Sequence, residues 1–465
     1  MPRQVDVAII GAGTAGLTAI KEIKNLTKNY LLIDRGPLGT TCSRVGCMPS
    51  KVLLQVAHDL SRVKVLKALN IYQGDGTIDL SEAMKHVRKL RDYFVNFAVE
   101  EIKEMGDHFI QAEASFLSPG RLKLDNGEEV EAKAIIIATG SSPVIPKEWD
   151  KFKDRIVTTD SLFELKTLDK SWAVIGMGPL GLEMGQAMAL LGCDVHGFDK
   201  NPMLGGLKDE IVHSEALRSL QKSFPIHLKA DVKLSRIGSK IRVSWGDQHR
   251  DVDRILAAVG RKANVGSLNL KAARCPLDEK SLPVFDPDTM KVKDAAIFLA
   301  GDMDGQKMVL HEAADDGRIA GFNALQEHPI RFKRKVKIGI TFSSPNLCTV
   351  GQSLKDIKEP VAIGEVSFTK QGRSVIMDEN EGMLRVYADK KTGLILGAEL
   401  AAPSGEHLAH LLAHAIGQKQ KVQELLRFPF YHPTVEEGLR TALRKAKKQL
   451  YCKVDPGPDL DRCDA

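Results

Sequence analysis

Two cysteines separated by four residues are the part of this sequence best suited to redox chemistry. Cys42 and Cys47 lie in the segment TTCSRVGCMPSK, residues 40–51. Residues five positions apart in an ideal helix have Cα atoms roughly 8–9 Å apart, whereas a disulfide needs less than about 7 Å. A disulfide between these two cysteines therefore requires a distorted turn, for which Gly46 and Pro49 are suitable, and such a bond would be reduced readily.

Two other interpretations of the cysteine pair have less support. A metal site would need two further ligands, and the nearby sequence has no cluster of Cys or His. Two inert buried thiols are the other alternative. A thiolate next to a helix start, however, has a lowered pKa and stays nucleophilic near neutral pH. Lys51 could add positive charge to the site or could be a solvated lysine. We interpret the pair as a redox-active dithiol.

A histidine and a glutamate far along the chain could supply acid–base chemistry. His432 precedes a proline, which favours an extended backbone at the histidine. Thr434 and Glu437 have the spacing of a capping box at the start of a helix, so capping alone would explain an acid at position 437. Exchange between thiols and disulfides needs a group that takes and returns protons near pH 7, which a histidine oriented by a carboxylate can do. The residues alone leave both interpretations open.

The dithiol follows a dinucleotide-binding fingerprint. An apolar strand at residues 5–10 leads into Gly11, Gly13 and Gly16, a helix follows, and a second strand ends in Asp34. Glycines at these positions let the backbone approach a pyrophosphate at the helix N-terminus, and the acid can bind a ribose diol. The order of strand, turn, helix, strand and acid predicts a nucleotide site.

The same pattern occurs a second time, 165 residues later, since the two loops begin at residues 11 and 176. A strand at 173–175 leads into Gly176, Gly178 and Gly181, and the next strand ends in Asp199. Two such sites in one chain imply two cofactors that exchange electrons, typically a flavin and a nicotinamide. An acid at position 199 suits a free 2′-hydroxyl, which predicts NAD rather than NADP.

The remaining sequence predicts the elements around these sites. Segments assigned from their patterns are a helix at 80–105, a strand at 134–138, strand-rich sequence at 232–259 with a turn at 260–262, and a buried strand at 296–302 with an acid at its carboxyl end. After about residue 334 the pattern changes to antiparallel strands and helices without a glycine fingerprint. His407, His410 and His414 have helical spacing among leucines, which predicts an interface helix rather than a metal face.

Length and composition exclude several classes of protein. A chain of 465 residues is too long for one core and suggests about three domains. The net charge of +6 is small and only 5% of residues are aromatic, which argues against nucleic acid binding. No apolar run reaches the ~18 residues of a membrane span. Seven irregularly spaced cysteines do not form a secreted disulfide framework. The first strand begins almost at once, leaving no room for a signal peptide, so we expect a cytoplasmic protein.

Taken together, these segments resemble the pyridine nucleotide–disulfide oxidoreductases over nearly the whole chain, and most of all their dihydrolipoamide dehydrogenase branch. The matching segments, in the family's order, are residues 11–16, 42–51, 138–140, 176–183, 260–262, 301–302, 308–313 and 432–437. The resemblance implies an α/β fold with two Rossmann-like domains, for FAD and NAD, and a C-terminal α+β domain that forms a homodimer. The implied boundaries are 1–148 for the first part of the FAD domain, 149–264 for the NAD domain, 265–335 for the second part of the FAD domain, and 336–465 for the interface domain.

The resemblance also implies roles for individual residues. Cys42 is the interchange thiol that attacks substrate, and Cys47 is the charge-transfer thiol next to the flavin. Lys51 and Glu183 lie near the nicotinamide side of the flavin, and His432 with Glu437 form an acid–base pair supplied by the partner subunit. The implied FAD contacts are Gly11, Gly13, Gly16, Asp34, Arg35, Thr41, Ala114, Thr139, Gly140, Asp302, Val309 and His311. The implied NAD contacts are Gly176, Gly178, Gly181, Asp199, Val232 and Gly260. No metal site is expected.

The expected substrate is a dihydrolipoyl dithiol, carried on a separate protein because the chain has no lipoyl-carrier domain. Tyr431, Pro179 and Ala263 depart from the usual pattern of this branch at or near the active site. The alternatives are an NAD(P)H-dependent reductase of another disulfide, a metal ion or a quinone, and a non-catalytic flavoprotein component of a larger complex. Some relatives have a second redox pair near the C-terminus, in which the two cysteines are adjacent or nearly so. Cys452 and Cys463 are separated by ten residues, so we do not predict such a pair here.

Overall fold

The computed structural model describes residues 1–74, 76–305, 308–451, 457–461 and 463. Up to residue 143 its elements, in chain order, are β1 (Arg3–Ile10), α1 (Thr14–Ile23), β2 (Tyr30–Asp34), α2 (Thr41–Val45), α3 (Cys47–Ala68), α4 (Leu80–Lys103), β3 (Phe109–Gln111), β4 (Ala114–Ser118), β5 (Arg121–Leu124), β6 (Glu129–Ile137) and β7 (Ser141–Pro143).

The middle of the chain holds a second set of alternating strands and helices. These are β8 (Ile156–Val157), α5 (Thr159–Leu162), β9 (Ser171–Ile175), α6 (Pro179–Leu190), β10 (Asp194–Asp199), α7 (Glu210–Leu220), β11 (Ile226–Leu228), β12 (Lys233–Ile237), β13 (Lys240–Trp245), β14 (Gln248–Val252), β15 (Arg254–Ala257) and β16 (Arg261–Ala263).

The last part of the chain is mainly antiparallel sheet and helix. Its elements are β17 (Ile297–Leu299), α8 (Leu310–Asn323), β18 (Ile338–Thr341), β19 (Asn346–Gly351), β20 (Val361–Ser367), α9 (Gly372–Met377), β21 (Met383–Asp389), β22 (Ile395–Ala402), α10 (Gly405–Gly417), α11 (Val422–Leu425) and α12 (Glu437–Lys447). Short 3₁₀ helices lie at Gly106–His108, Lys147–Arg155, Leu270–Ala273, Gly301–Asp304, Leu354–Asp356 and Phe368–Lys370.

The first sheet has the strand order β3-β2-β1-β6-β5-β4, with β17 paired to β6. β1 pairs in parallel with both β2 and β6, and its apolar residues from Val7 to Ile10 are buried. A continuous apolar run is typical of a parallel strand covered on both faces. Helices α1 and α8 pack closely, because a Cβ at Gly317 would lie 2.2 Å from the carbonyl oxygen of Ala15. The carboxyl ends of β1, β2 and β6 therefore meet beside the start of α1.

The second sheet repeats this arrangement in the order β11-β10-β9-β15-β8, and all its strands are parallel. An antiparallel meander, β12-β13-β14, packs against it through a separate apolar core. The third sheet is antiparallel, in the order β18-β19-β22-β21-β20, and α10 and α12 cover it.

Three predictions from the sequence need correction. Residues 261–263 form strand β16, which pairs with β7, instead of a turn. A helix start beside the cysteines was expected, but the 22-residue length of α3 and the short strands β3 to β5 were not. The capping box predicted from Thr434 and Glu437 is incomplete: α12 begins at Glu437, and the Thr434 hydroxyl donates to the carbonyl of Tyr431. Within the described residues, no helix is both long enough and apolar enough to cross a bilayer.

Candidate active site

The first glycine loop leaves one side open to a ligand. A Cβ at Gly11 would lie 2.3 Å from the Ala138 carbonyl oxygen, and one at Gly16 would lie 1.9 Å from the Gly11 carbonyl oxygen. A Cβ at Gly13 would meet no atom within 4 Å. Gly11 and Gly16 are therefore required by packing, whereas Gly13 borders free space at the N-terminus of α1, where phosphate groups bind.

Asp34 holds the backbone on both sides of this space. Its carboxylate accepts hydrogen bonds at 2.6 Å from the N–H groups of Ala12 and Gly36. The cavity next to it has a volume of about 350 Å³. Its lining includes Gly11, Gly13, Asp34, Arg35, Thr41, Ala114, Thr139 and Gly140. A glycine loop open to a helix N-terminus, followed by a carboxylate, fits the ADP half of the expected FAD.

The cysteine pair lies at a break between two helices. Helix α2 ends at Val45, Gly46 has φ −125° and ψ −115°, and α3 begins at Cys47. This is the distortion that the spacing required, and both cysteines are thiols in the structure. The hydrogen bond from Cys42, together with the charge of Lys51, lowers the pKa of Cys47 to about 7. The same hydrogen bond and burial raise the pKa of Cys42. Cys47 is therefore the thiolate of the pair near neutral pH.

An ion pair between Lys51 and Glu183 connects α3 to α6, the helix that follows the second glycine loop. Lys51 Nζ lies 2.7 Å from Glu183 Oε2, and the Glu183 side chain is only 3% exposed. The other oxygen of Glu183 accepts from the backbone N–H of Phe342 at 2.9 Å. Lys51 Nζ is 4.7 Å from the centre of the Phe342 ring. This contact brings together α3, α6 and the segment after β18, and it fixes the cation near Cys47.

A second cavity, of about 510 Å³, brings the dithiol together with residues from distant segments. Its lining includes Cys42, Cys47, Lys51, Glu183, Asp302, Val309 and His311. Asp302 accepts a hydrogen bond from Ser141 at 2.7 Å. Gly13, Thr41, Ala138, Gly140 and Arg261 line both cavities, so the two are adjacent. The pair of cavities fits an extended dinucleotide, and Cys47 would lie beside the part of it that occupies the second cavity.

Sequence reasoning missed several residues of these cavities. Phe342 and His410 line the cavity of the dithiol, although we had assigned His410 only to an interface helix. Arg261 donates to the hydroxyl and the carbonyl oxygen of Ser141, both at 2.7 Å. Arg261 lies in the segment 260–262 that carried the family resemblance, and it is the first residue of β16. Nothing in the spacing of Phe342 or His410 indicated the cavity, because both come from the third sheet and its helix.

The second glycine loop has the same geometry as the first. A Cβ at Gly176 would lie 2.2 Å from the Ala258 carbonyl oxygen, and one at Gly181 would lie 1.8 Å from the Gly176 carbonyl oxygen. Gly178 again borders open space. Asp199 accepts from the N–H groups of Met177 at 2.7 Å and Asn201 at 2.8 Å. The open helix N-terminus at Gly178, together with a carboxylate at the end of the next strand, fits a second dinucleotide.

Two further residues predicted to contact NAD lie outside the second glycine loop, and their contact with NAD stays a prediction. Val232 packs against the apolar core between the second sheet and the meander. Gly260 lies between β15 and β16 with φ +115°, a conformation that favours glycine.

His432 and Glu437 form a pair on the surface of the third domain. His432 Nδ1 lies 2.9 Å from Glu437 Oε2, with the histidine side chain 79% exposed and the glutamate 16%. Glu437 also accepts from Arg440 at 2.8 Å. Burial acts to raise the pKa of Glu437, but the hydrogen bonds from His432 and Thr434 outweigh it, so the pKa lies below its ordinary value. Within the described part of this single chain, neither side chain lines the cavity of the dithiol.

The other cysteines that the structure describes do not line the cavity of the dithiol. Cys193, Cys275 and Cys348 are buried, and Cys463 is exposed. Cys452 lies outside the described residues. Among the described residues, no group of three or more His, Cys, Asp or Glu side chains is arranged to bind a metal ion.

Comparisons with known proteins agree with this geometry. The family model described as pyridine nucleotide-disulphide oxidoreductase matches residues 5–317, and the model for the dimerisation domain of the same family matches residues 338–443. Mercuric reductase of Bacillus cereus is 28% identical over 460 residues, which cover 96% of this chain and 72% of the relative. Dihydrolipoyl dehydrogenase of Bacillus subtilis is 27% identical over 456 residues, which cover 94% of this chain and 97% of the relative.

Among solved structures, the HOCl-induced flavoprotein disulfide reductase RclA from Escherichia coli has the same fold. It superposes with a TM-score of 0.83 at 22% identity, covering 94% of this chain and 99% of RclA. The curated relatives thus include enzymes named for two different reactions at nearly equal identity.

Proposed function

Because this chain belongs to the pyridine nucleotide–disulphide oxidoreductase family, whose members use FAD and NAD(P), we propose that it is a homodimeric dihydrolipoyl dehydrogenase. In this proposal, NAD⁺ is the final electron acceptor and a dihydrolipoyl dithiol, on a separate carrier protein, is the electron donor. The match to the family's dimerisation domain supports the homodimer. The three sheets support a division into domains at residues 148, 264 and 335. A cytoplasmic location stays a prediction from the sequence.

The observation that carries the choice of substrate is the pair of His432 and Glu437. A dithiol must lose protons before it can reduce a disulfide, so its oxidation depends on a base at the site. The Nδ1 of His432 is occupied by Glu437 at 2.9 Å, which leaves Nε2 as the group that exchanges protons with substrate. A histidine that is 79% exposed on one chain is suited to act in the cavity of another.

The thiol chemistry then follows from the residues. His432 of the partner subunit takes a proton from one thiol of the substrate, and the resulting thiolate attacks the Cys42 sulfur of a Cys42–Cys47 disulfide. Cys47 leaves as a thiolate, which its low pKa favours. The second thiol of the substrate then attacks the substrate sulfur that is bonded to Cys42, and its proton goes to the Cys42 sulfur as that bond breaks. The substrate loses two electrons and becomes a disulfide, and the cysteine pair gains them as the Cys42 thiol and the Cys47 thiolate, while His432 holds the other proton.

FAD, when bound in the two adjacent cavities, supplies the two-electron chemistry that links the cysteine pair to the nicotinamide nucleotide. Gly13, Asp34 and Asp302 would hold it on this chain. Gly178 and Asp199 would hold the nicotinamide nucleotide, and an acid at position 199 favours the free 2′-hydroxyl of NAD over a 2′-phosphate. Lys51 and Glu183 would lie between the two cofactors.

Steady-state assays test this proposal. Dihydrolipoamide with NAD⁺ should be turned over faster than oxidised glutathione, a quinone or mercuric ion with NADH or NADPH. The proposal fails if dihydrolipoamide is not oxidised and mercuric ion is reduced, which would favour the activity for which the relative in Bacillus cereus is named. A His432→Gln variant should lose dithiol oxidation while it keeps reduction of its flavin by NADH, because that step needs no base from the third domain. Loss of both reactions would show that His432 acts in folding or assembly.

A further inference from the structure

Arg44, which no prediction from the sequence singled out, has an unusual position beside the first cavity. It lies in the last turn of α2, three residues after Thr41, and both residues line the cavity that contains the first glycine loop and Asp34. Its Nε is buried and has no hydrogen-bond partner among the described residues. A buried donor without a partner is costly unless a ligand supplies the acceptor.

The other cations of this cavity already have partners. Arg35 Nη1 lies 2.8 Å from Glu113 Oε1. Arg261 donates to Ser141 and lies 3.9 Å from Asp160 and 4.0 Å from Asp302. Of the three arginines in the lining, Arg44 is therefore the one without an acidic partner within the described residues. Its charge is available to an anion in the cavity.

The anion that fits this position is the pyrophosphate of FAD. Gly13 leaves open space at the N-terminus of α1, whose N–H groups favour phosphate. Both oxygens of Asp34 accept hydrogen bonds from backbone N–H groups. Among the described residues, no ion pair joins Asp34 to Arg44, so this carboxylate does not neutralise the arginine. A planar guanidinium binds phosphate oxygens with two parallel hydrogen bonds, which a lysine cannot reproduce. We propose that Arg44 binds the pyrophosphate of FAD. Helix α2, which carries both Cys42 and Arg44, would thereby help to retain the cofactor.

Release of FAD from the holoprotein tests this assignment directly. Flavin fluorescence, which rises when FAD leaves, gives the release rate and, after stripping and titration, the Kd. Arg44→Gln should weaken FAD binding by about 10- to 100-fold, the range for a hydrogen bond to a charged group. Arg44→Lys keeps the charge without the fork, so its Kd should fall between those of the wild type and the Gln variant. Arg373→Gln removes an exposed arginine of α9 and should leave the Kd unchanged.

The choice of flavin separates a phosphate contact from other effects. Riboflavin lacks the pyrophosphate, so its Kd should be the same for the wild type and Arg44→Gln. Equal FAD affinity of wild type and Arg44→Gln overturns the proposal. Equal losses in the Lys and Gln variants also overturn it, because a positive charge at position 44 would then contribute nothing to FAD binding. If Arg44→Gln does not fold, as judged by circular dichroism, the Lys variant must still bind FAD more weakly than wild type. None of these outcomes depends on which dithiol the enzyme oxidises.

Discussion

Cys47 has two neighbours that lower its pKa, one on each side in sequence. Cys42 is five residues before it and donates a hydrogen bond, and Lys51 is four residues after it and supplies positive charge. Burial and the negative charge of Glu183 act in the opposite direction. The pKa of about 7 is thus a balance between contacts from α2 and α3 that lower it and the burial and the acid on α6 that raise it.

We expect Cys47 in the reduced holoprotein to ionise with a midpoint near pH 7. Because its folded pKa lies below the ordinary value of 9.0, the thiolate fraction should rise on going from about pH 6 to pH 8. Cys42→Ala removes the hydrogen-bond donor and should move the midpoint upward. The long-wavelength absorbance between thiolate and flavin reports the titration, and Cys47→Ser should abolish it. A midpoint that does not move in Cys42→Ala would contradict the assigned cause.

The ion pair of Lys51 and Glu183 makes a second prediction at the residue scale. Lys51→Met leaves a carboxylate that is 3% exposed without its cation, although the N–H of Phe342 still donates to it. We expect a loss of about 1–3 kcal/mol in the free energy of unfolding and a higher pKa of Cys47. Denaturant unfolding and the thiolate titration measure these two effects.

Glu183→Gln is the matched variant for this pair. Removing the negative charge should lower the pKa of Cys47, since Glu183 acts to raise it. In the double variant, Lys51→Met with Glu183→Gln, most of the stability lost by Lys51→Met should return, because no charge is left buried alone. Additive losses would mean that the two side chains do not interact.

At the scale of elements, the two glycine loops place phosphate-binding backbone at the carboxyl ends of their sheets. In each loop, a Cβ added at the first or the third glycine would lie less than 3 Å from a carbonyl oxygen, so both positions need glycine. The middle glycine borders open space. The loops therefore offer paired substitutions in which one affects the fold and the other affects only the ligand.

The second loop gives the clearest such pair. Gly178→Ala adds a methyl group where no protein atom lies within 4 Å. It should keep the flavin and the fold but weaken NADH binding about tenfold or more, equivalent to ~1.4 kcal/mol. Gly181→Ala would put a Cβ 1.8 Å from the Gly176 carbonyl oxygen, so it should destabilise the second sheet by about 1–3 kcal/mol or more. Stopped-flow reduction by NADH and thermal unfolding distinguish the two. Normal NADH binding by Gly178→Ala would contradict the second site.

Elements with a strong local pattern could be predicted from the sequence, and others could not. The strand, glycine turn and helix around Gly11 are contiguous, and each part has its own signal. The length of helix α3 was missed because its fully buried residues all lie between Pro49 and Ala57, which leaves the second half of its 22 residues without a buried stripe. Strands β3, β4 and β5 are three to five residues long, which is too short for an alternating pattern to stand out.

At the scale of the whole molecule, the site is assembled from segments that no local pattern connects. Lys51 comes from α3, Glu183 from α6 and Phe342 from the segment after β18, yet they lie within one set of contacts. Spacing in the sequence predicted the dithiol and the glycine loops, but it could not predict contacts made by the third sheet. His432 and Glu437 were predicted as a pair, and they lie 2.9 Å apart but do not line the dithiol cavity of the same chain. The proposed homodimer would bring this pair from one chain to the cavity of the other.

Mixed dimers test that last point. A Cys47→Ser homodimer and a His432→Gln homodimer should each lack dithiol oxidation, one for want of the dithiol and the other for want of the base. A hybrid dimer has one intact site, formed by the cysteine pair of the His432→Gln chain and the histidine of the Cys47→Ser chain. Purified hybrids, selected with two affinity tags, should therefore have about half the activity of wild type. A hybrid of Cys47→Ser with a chain that carries both substitutions is the inactive control. If the base acted within its own chain, the first hybrid would be as inactive as this control, because neither of its chains would hold both groups.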